Sequence, residues 1–568
     1  MNTILRIDMT ELEVTIENPP KEYQLLGGRG LSARILNAEV PAMTHPLSHE
    51  NKLVIAPGPL AGTMAPSFGR ISFGAKSPLT KTIKEANAGG TAAQKLDRLG
   101  IKAIIIQGMP KENQTYSIYI DSKGAQIIEA PDLKGKMNYD LVTILQNNYG
   151  KDIGVISIGP AGEARMAAST IAVTDHDGRP SRHAARGGLG AVMGSKGIKA
   201  IVINAKGTKA IEPIHKEQYK DTVRDLVEIL KQEKGSQSLS KFGTPRVISF
   251  LSQLGSMPSW NYHGGPVKGI ENIYGETISE INQGRGGRMH GCMPGCVVQC
   301  SVVFHGEDGQ HLTSALEYET LAMLGSNLGI TNLDAVAQMD RMCDELGVDT
   351  IEVGSAIAQF MEAGVIEFGG DQKVIGILKE LSDSSSIGKI VGQGTAFTAQ
   401  YLGLNRVPVS KGQAFPAHDP RACKAAGVTY CTSPMGADHT AGLDYRDSLS
   451  NEGQVKRSLD AQVLNATIDS VGYCFLAMPA KGQVMYEIIA KLLSAKYGKN
   501  LKEADVMSIG INTIREELTF NRAAGWTDVH NVLPEFMKTE KLPPHNEVFD
   551  IPQDEIDTIF NKNVMPET

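Results

Sequence analysis

Six short apolar runs, rich in Ile and Val and punctuated by glycine or proline, crowd into the first 206 residues: LVIAPGPL (53–60), RISFGAK (70–76), KAIIIQGM (102–109), YSIYID (116–121), VISIGPAG (155–162) and KAIVINA (199–205). Runs of this length and composition read as strands. Two helical patterns interrupt them, TAAQKLDRLG (91–100) and YDLVTILQNNYG (139–150). Beyond AKGTKAIEP (205–213) the period changes, and 219–233, 333–347, 372–382, 458–472 and 484–498 space their apolar residues as helices do. The expected fold class is therefore α+β. A mostly β domain spans 1–206, and two mainly α-helical domains span 207–405 and 406–568, divided near LGLNRVPVSKG (402–412), where Pro and Gly break the pattern. No solenoid-type repeat is visible.

Composition excludes several classes. The chain has 568 residues, 21% charged and 41% hydrophobic, which is ordinary globular material able to bury large cores without a disulfide or zinc staple. A net charge of −7 and the lack of a long Lys/Arg block argue against a nucleic-acid partner. The opening MNTILRIDMTELEVTIENPP alternates like a strand and has no apolar h-region, so no signal peptide is expected. No run of about 18 apolar residues suggests a membrane span. A cytoplasmic location is the expectation.

RMHGCMPGCVVQC (288–300) holds three of the seven cysteines, Cys292, Cys296 and Cys300. Pro294 and Gly295 favour a loop, and thiolates converging in a loop suit a soft metal or an iron–sulfur cluster. A structural zinc is the rival, but the usual Cys-x2-Cys pairs are missing. A fourth thiolate would come from Cys343, Cys423, Cys431 or Cys474. A second constellation is a pair of Asp-x-x-Gly motifs, DELGVD (344–349) and DSVGYC (469–474), each closing a helical pattern with Gly347 or Gly472 in the place of a helix-ending glycine. An ionised Asp there presents two acceptor oxygens to the N–H edge of a fused heterocycle, and two motifs imply two similar ligands.

These motifs, taken in order with LLGGRGLSARIL (25–36), NKLVIAPGPLAGTMAPSFGR (51–70), EANAGG (85–90), ARGGLGAVMGSKGIKAI (185–201), EYETLAMLGSNLGITN (317–332) and GADHT (436–440), resemble the aldehyde:ferredoxin oxidoreductase family of tungsten, sometimes molybdenum, enzymes. The resemblance implies a β base beneath a bis-molybdopterin cofactor covered by two helical domains, a 4Fe–4S cluster beside one pterin, and a Mg2+ ion bridging the pterin phosphates. By motif, Asp344 and Asp469 match the pterin anchors, with Val348, Asp349, Tyr473 and Phe475 close by. Arg70, Asn87, Gly89, Ala184 and Arg186 match the cofactor-binding positions of the β base, Asn87 and Ala184 being those that offer carbonyl oxygens to Mg2+. Both arginines are expected to face phosphate. ARGGLGAVMG does not follow a strand pattern and is not read as a dinucleotide loop.

The chain departs from the family pattern in places. Met289 stands where the first cluster cysteine falls, so Cys292, Cys296, Cys300 and Cys474 are the expected ligands, Cys300 being the replacement. Gln338 and Arg341 replace the Glu and His that bind an intersubunit iron, so a homodimer would lack that ion. Ala441 replaces a lysine beyond the active-site histidine.

The resemblance implies oxidation of an aldehyde to a carboxylic acid, possible in reverse, with electrons leaving through the cluster to a ferredoxin or a small iron–sulfur subunit. Glu319 matches the catalytic carboxylate and is expected to act as general base, its pKa raised by burial. His439 matches the histidine that hydrogen-bonds substrate or shuttles a proton, with Thr440 orienting it. Other substrates on the same cofactor (2-hydroxy acids, sugar aldehydes or aryl thioesters) and a non-catalytic iron–sulfur carrier are the alternatives. The Pro-rich stretch from about 531 is expected to wrap the surface.

Overall fold

The protein is described by a computed structural model covering residues 2–112, 114–383 and 386–561. Its β region contains two six-stranded sheets. In spatial order the first runs Glu13–Glu17, Thr3–Asp8, Ile101–Gln107, Leu53–Pro57, Ile71–Lys76, Ile83–Ala88. The second runs Gly124–Glu129, Tyr116–Asp121, Ile198–Ile203, Gly154–Ser157, Ile171–Val173, Arg182–Ala184. The connectivity is the same in both. The first strand of each unit pairs parallel with the sixth, and every other pairing is antiparallel. The helices repeat too: Gly28–Glu39 and Asn138–Tyr149 follow the second strand of their units, and Ala92–Arg98 and Leu189–Ser195 follow the fifth.

The β region is therefore an internal duplication of two long units, a repeat different in kind from a solenoid. Gly-Ile-Lys-Ala-Ile occurs at the start of the sixth strand in both, at 100–104 and 197–201. The two lysines are buried and act alike: Lys102 Nζ reaches the Gln24 carbonyl and Lys199 Nζ the Lys136 carbonyl, each in the segment leading into its unit's long helix. Residues such as Leu5, Ile7, Leu53 and Ile104 meet Ile118, Ile156, Ile171 and Ile201 in one apolar layer between the sheets. The outer faces are covered as well, Ile4, Val54 and Ile105 by Leu31 and Ile35, and Val155 and Val202 by Leu141 and Leu145. Strands buried on both faces read as continuous apolar runs rather than alternating ones, which is the texture seen in the sequence.

After Ile203 the chain is mainly helical, with a small three-stranded sheet, Arg288–His290, Ser301–His305 and His311–Ser314, carrying the cysteine loop. Side chains from both sides of residue 405, among them Phe360, Val391, Phe415, Tyr430 and Ile514, share one core. The segment beyond 531 departs from the surface wrap expected of it. Leu533, Met537, Phe549 and Ile556 are buried in that same core, because Pro-rich punctuation sets the path of a segment but its spaced apolar residues decide where it docks.

Candidate active site

The two Asp-x-x-Gly motifs end the helices Leu333–Leu346 and Gln454–Val471, with Gly347 (φ 70°) and Gly472 (φ 74°) in the left-handed conformation. Each helix end is seated on its own sheet in the same way. Thr170 N donates to Gly347 O (2.8 Å) and Arg70 N to Gly472 O (3.1 Å), both just before the fourth strand of a unit. Gly159 and Gly58, after the third strands, let the helices come this close: a Cβ would lie 2.1 Å from Leu346 O at the one and 2.0 Å from Val471 O at the other. Asn138 Nδ2 donates to Asp344 O (2.8 Å), and Gly28, at the corresponding helix start, lies against Asp469 O.

The carboxylates meet matched partners. Asn87 Nδ2 donates to Asp469 Oδ1 (3.1 Å), and His183 Nε2 lies 3.1 Å from Asp344 Oδ1. Asn87 and His183 occupy equivalent registers, opposite Ser72 and Ala172 on the fourth strands. Their edge strands, Ile83–Ala88 and Arg182–Ala184, lie side by side, which brings Asn87 and Ala184 to the seam between the two units. The two grips differ in charge. Asp469 Oδ2 faces Arg29 Nη1 (3.4 Å), whose Nε and Nη2 each bind Glu517 at 2.8 Å. Burial pushes the Asp469 carboxyl up against the pull of Arg29 and Arg70. Arg29 is 1% exposed. Arg29→Met strands two buried carboxylates and is expected to destabilise the protein by about 3–5 kcal/mol, read as a lowered denaturation midpoint.

The remaining cradle residues fall around these grips. Val348 bridges to Ser169 across the backbone. Asp349 caps the helix Thr350–Glu362 through Ile351 N and lies 3.3 Å from Arg186 Nε. The Tyr473 side chain is buried against Phe68 with its hydroxyl on Ala477 O, and Phe475 begins the following turn. Arg70 binds Asn87 through both its side chain and its carbonyl. Arg186 departs from the phosphate-facing expectation. Its Nε, Nη1 and Nη2 go to Asp349, Ala437 O (3.0 Å) and Ala414 O (2.7 Å), so the guanidinium ties the β base to the helical cover. Arg182, unmarked by the sequence motifs, has a buried guanidinium whose Nε and Nη2 have no hydrogen-bond partner. Its Nη1 lies 3.8 Å from Glu317 Oε1, and the unpartnered edge of the buried guanidinium suits an anionic group.

All four expected cluster thiols share one apolar neighbourhood. Cys300 and Cys474 are buried, Cys292 and Cys296 half-buried beside them, and Cys292 Sγ touches Gly89, where a Cβ would stand 2.7 Å away. Cys343, Cys423 and Cys431 lie in the other core. Burial pushes the Cys292 thiol up to about 12, Arg182 opposing and the neighbouring thiols adding. Among the described residues, no three His, Cys, Asp or Glu side chains close on a point as ligands of a single ion would. Thiolates are the donors an iron–sulfur cluster takes. With iron held by these thiols, Cys300→Ala is expected to cut the iron content per chain, with Cys431→Ala as the unaffected control.

Glu319 sits in the first turn of the helix Tyr318–Met323, and Oε2 accepts from Ala417 N (2.8 Å). Its Oε1 makes no well-aligned hydrogen bond but lies 3.0 Å from His418 Nε2 and 3.6 Å from His439 Nε2. The expected rise in pKa is corrected here. Burial alone pushes the carboxyl up, but His439 and His418 outweigh it and hold it down to about 2 from its ordinary 4.5. The ionised form therefore contributes stability above pH 4.5, lost as the pH falls toward 2. Burial pushes His439 down, more than Glu319 and Asp438 raise it. These shifts favour the neutral imidazole at His439 and the ionised carboxylate at Glu319. His439 is held by its neighbour: Asp438 is buried, paired with the fully buried Lys84, and caps the turn through Thr440 N (3.0 Å) and Thr440 Oγ1 (2.8 Å). The Thr440 hydroxyl is thus spent on Asp438. Arg29, Lys84, Arg182, His183, His418 and Tyr445 were not drawn from the sequence. Arg29 lies inside a quoted motif, and His183 follows from the register once the duplication is seen.

The fold is a duplicated β base with two matched helix ends seated on it, under a mainly helical cover. Family profiles for the aldehyde ferredoxin oxidoreductase N-terminal domain and for its domains 2 and 3 match residues 4–205 and 221–560, and the chain belongs to that family. It is 30% identical to the tungsten-containing aldehyde ferredoxin oxidoreductase of Pyrococcus horikoshii over 95% of this chain and 92% of the relative. It is also 30% identical to that of Pyrococcus furiosus, over 95% and 91%. The WOR-like subunit of an aliphatic sulfonate oxidoreductase from Pyrococcus furiosus is 26% identical over 77% and 74%. Among solved structures, the active site complex BamBC of benzoyl coenzyme A reductase superposes with a TM-score of 0.80 at 21% identity, covering 94% of this chain and 90% of that one, a likeness of fold.

Proposed function

We propose that this enzyme oxidises small aldehydes to carboxylic acids, reversibly, at a tungsten or molybdenum bis-pterin centre, and passes electrons through a 4Fe–4S cluster to a ferredoxin-like acceptor. The observation that carries this reading is the pair of Asp-ended helices seated alike on a duplicated sheet, with four cysteines beside the second of them. In this reading Asp344 and Asp469 hold the two pterins, Arg70 and the free edge of Arg182 face their phosphates, and the Asn87 and Ala184 carbonyls take Mg2+. Cys292, Cys296, Cys300 and Cys474 hold the cluster. The division of the chain at residues 206 and 405 belongs to the same reading.

The metal centre, when bound, supplies a Lewis acid and a two-electron acceptor. The protein orients and moves protons. Neutral His439 accepts a proton from the attacking water at its ring nitrogen. Ionised Glu319 stabilises the resulting imidazolium across 3.6 Å. Asp438, fixed by Lys84, keeps the His439 turn in place. The 26%-identical relative named for aliphatic sulfonates makes the substrate class the point to test. Anaerobically purified protein is expected to reduce a viologen dye with simple aliphatic or aromatic aldehydes. Dye reduction by 2-hydroxy acids or sulfonates but by no aldehyde overturns the substrate assignment.

A further inference from the structure

Arg246 stands apart from the other cations near the candidate site. It is half-buried, its Nε is shut off from solvent with no hydrogen-bond partner, and no carboxylate pairs with it among the described residues. Burial lowers the proton affinity of Arg29, Arg186 and Arg421 too, but there carboxylates outweigh it. At Arg246 burial wins, and only Tyr445 opposes it. A half-buried cation left without a partner is costly, and such a group suits an anion supplied from outside.

The fold ties Arg246 to Glu319. The turn Thr244–Val247 is fastened to the start of the Glu319 helix: Tyr318 N donates to Thr244 Oγ1 (2.8 Å), and that hydroxyl donates to Glu317 Oε2. A wall of rings joins the two residues. The Tyr318 ring packs on His418 at 5.3 Å between centroids. His418 Nε2 is 3.0 Å from Glu319 Oε1, and its Nδ1 is 2.9 Å from the Tyr445 hydroxyl. Tyr445 feels the Arg246 charge and meets Phe250 edge to face, at 6.5 Å between centroids. Phe250 is 55% exposed. The wall thus runs from the buried carboxylate to the surface, with the unpaired guanidinium beside its outer part.

A guanidinium presents a planar fork of donors that matches a carboxylate. Glu319 repels an anion at the inner end of the wall, so an acidic substrate fits only with its charge at the outer end. Resting on the proposed aldehyde oxidation, we propose that Arg246 is a specificity-determining residue that pairs with a carboxylate at the far end of the substrate. The preferred substrates are then oxo acids, with the aldehyde at Glu319 and His439, the acid group at Arg246, and the carbons between them along Tyr318, Tyr445 and Phe250. An oxo acid takes up one water and yields a dicarboxylic acid, two electrons for the acceptor and two protons. Arg246 adds no step to that reaction; it selects what enters.

The first measurement needs no turnover. Calorimetric titration of the purified protein compares short straight-chain dicarboxylates, succinate to adipate, with monocarboxylates of equal length. Wild type is expected to hold at least one dicarboxylate about 10- to 100-fold more tightly. Arg246→Met keeps the stem, removes the charge and is expected to erase that margin. Arg246→Lys keeps the charge without the fork and is expected to retain part of it. The thermal midpoint checks that both variants fold, and the wild-type comparison needs neither. With a viologen dye, the same margin is expected in wild type as a lower KM for oxo acids than for neutral aldehydes of equal length. It should collapse in Arg246→Met, with KM moving more than kcat. No margin in wild type, or a margin that survives Arg246→Met, overturns the assignment and leaves the function standing. A dicarboxylate margin that Arg246→Met erases, in a wild-type enzyme that oxidises no aldehyde, upholds the anion site and overturns the proposed function.

Discussion

The double variant Asp344→Ala, Asp469→Ala is expected to fold and to come out of an anaerobic purification with little tungsten or molybdenum. Each carboxylate offers charge-assisted hydrogen bonds worth about 1.5–3 kcal/mol apiece, so losing both grips weakens cofactor retention by roughly two to four orders of magnitude at about 1.4 kcal/mol per tenfold. The fold should survive, because the helix ends are held mainly by backbone contacts, Thr170 N on Gly347 O and Arg70 N on Gly472 O, and Arg29 keeps Glu517. Circular dichroism and the thermal midpoint check the fold, and elemental analysis checks the metal. The single variants are expected to differ. Asp469 stands among Arg29, Asn87 and the buried Glu85, whereas Asp344 meets a histidine and a tyrosine, so the Asp469 variant should also disturb stability.

Glu319→Gln is expected to lower kcat by about 10²- to 10⁴-fold with little change in KM. The amide keeps the shape and the acceptor for Ala417 N but loses the charge that pairs with an imidazolium. The pH profile carries the more specific expectation. Glu319 raises the proton affinity of His439, so its neutralisation lowers that affinity further, and the acid limb of kcat/KM should shift to lower pH. Were Glu319 itself the base, the acid limb would disappear instead. Steady-state rates across the acid range distinguish the two.

Much of the fold was legible because its strands are buried on both faces and its long helices are amphipathic. YSIYID reads as a strand and is one, Tyr116–Asp121, and the pattern at 333–347 becomes the helix Leu333–Leu346. The helix Gly28–Glu39 was missed because Gly28 and Gly30 in its first turn mask its apolar spacing, and those glycines are where Asp469 O and Ser470 press in. The duplication was written in the sequence as two copies of Gly-Ile-Lys-Ala-Ile and as Gly-Pro after the third strand of each unit, at Gly58 and Gly159. It went unread because the intervening loops share little, and only strand order makes the match plain.

The site was legible in its motif residues and opaque in their partners. Asp344, Asp469 and the four cysteines stand in recognisable patterns, and Cys474 lies with the cysteine loop rather than any of the three alternatives. Arg186 and Glu319 show the limit. Whether an arginine faces a ligand or a carbonyl, and whether a buried carboxylate is raised or lowered, depends on neighbours distant in sequence such as Ala414, Ala437 and His418.

Metal and pterin content per chain, measured on anaerobically purified protein by elemental analysis and by fluorescence of the extracted pterin, bears most directly on the twin-grip cradle. The expected result is two pterins, one tungsten or molybdenum atom and about four iron atoms per chain. Iron alone, without pterin or a heavy metal, or zinc in place of iron, would contradict it.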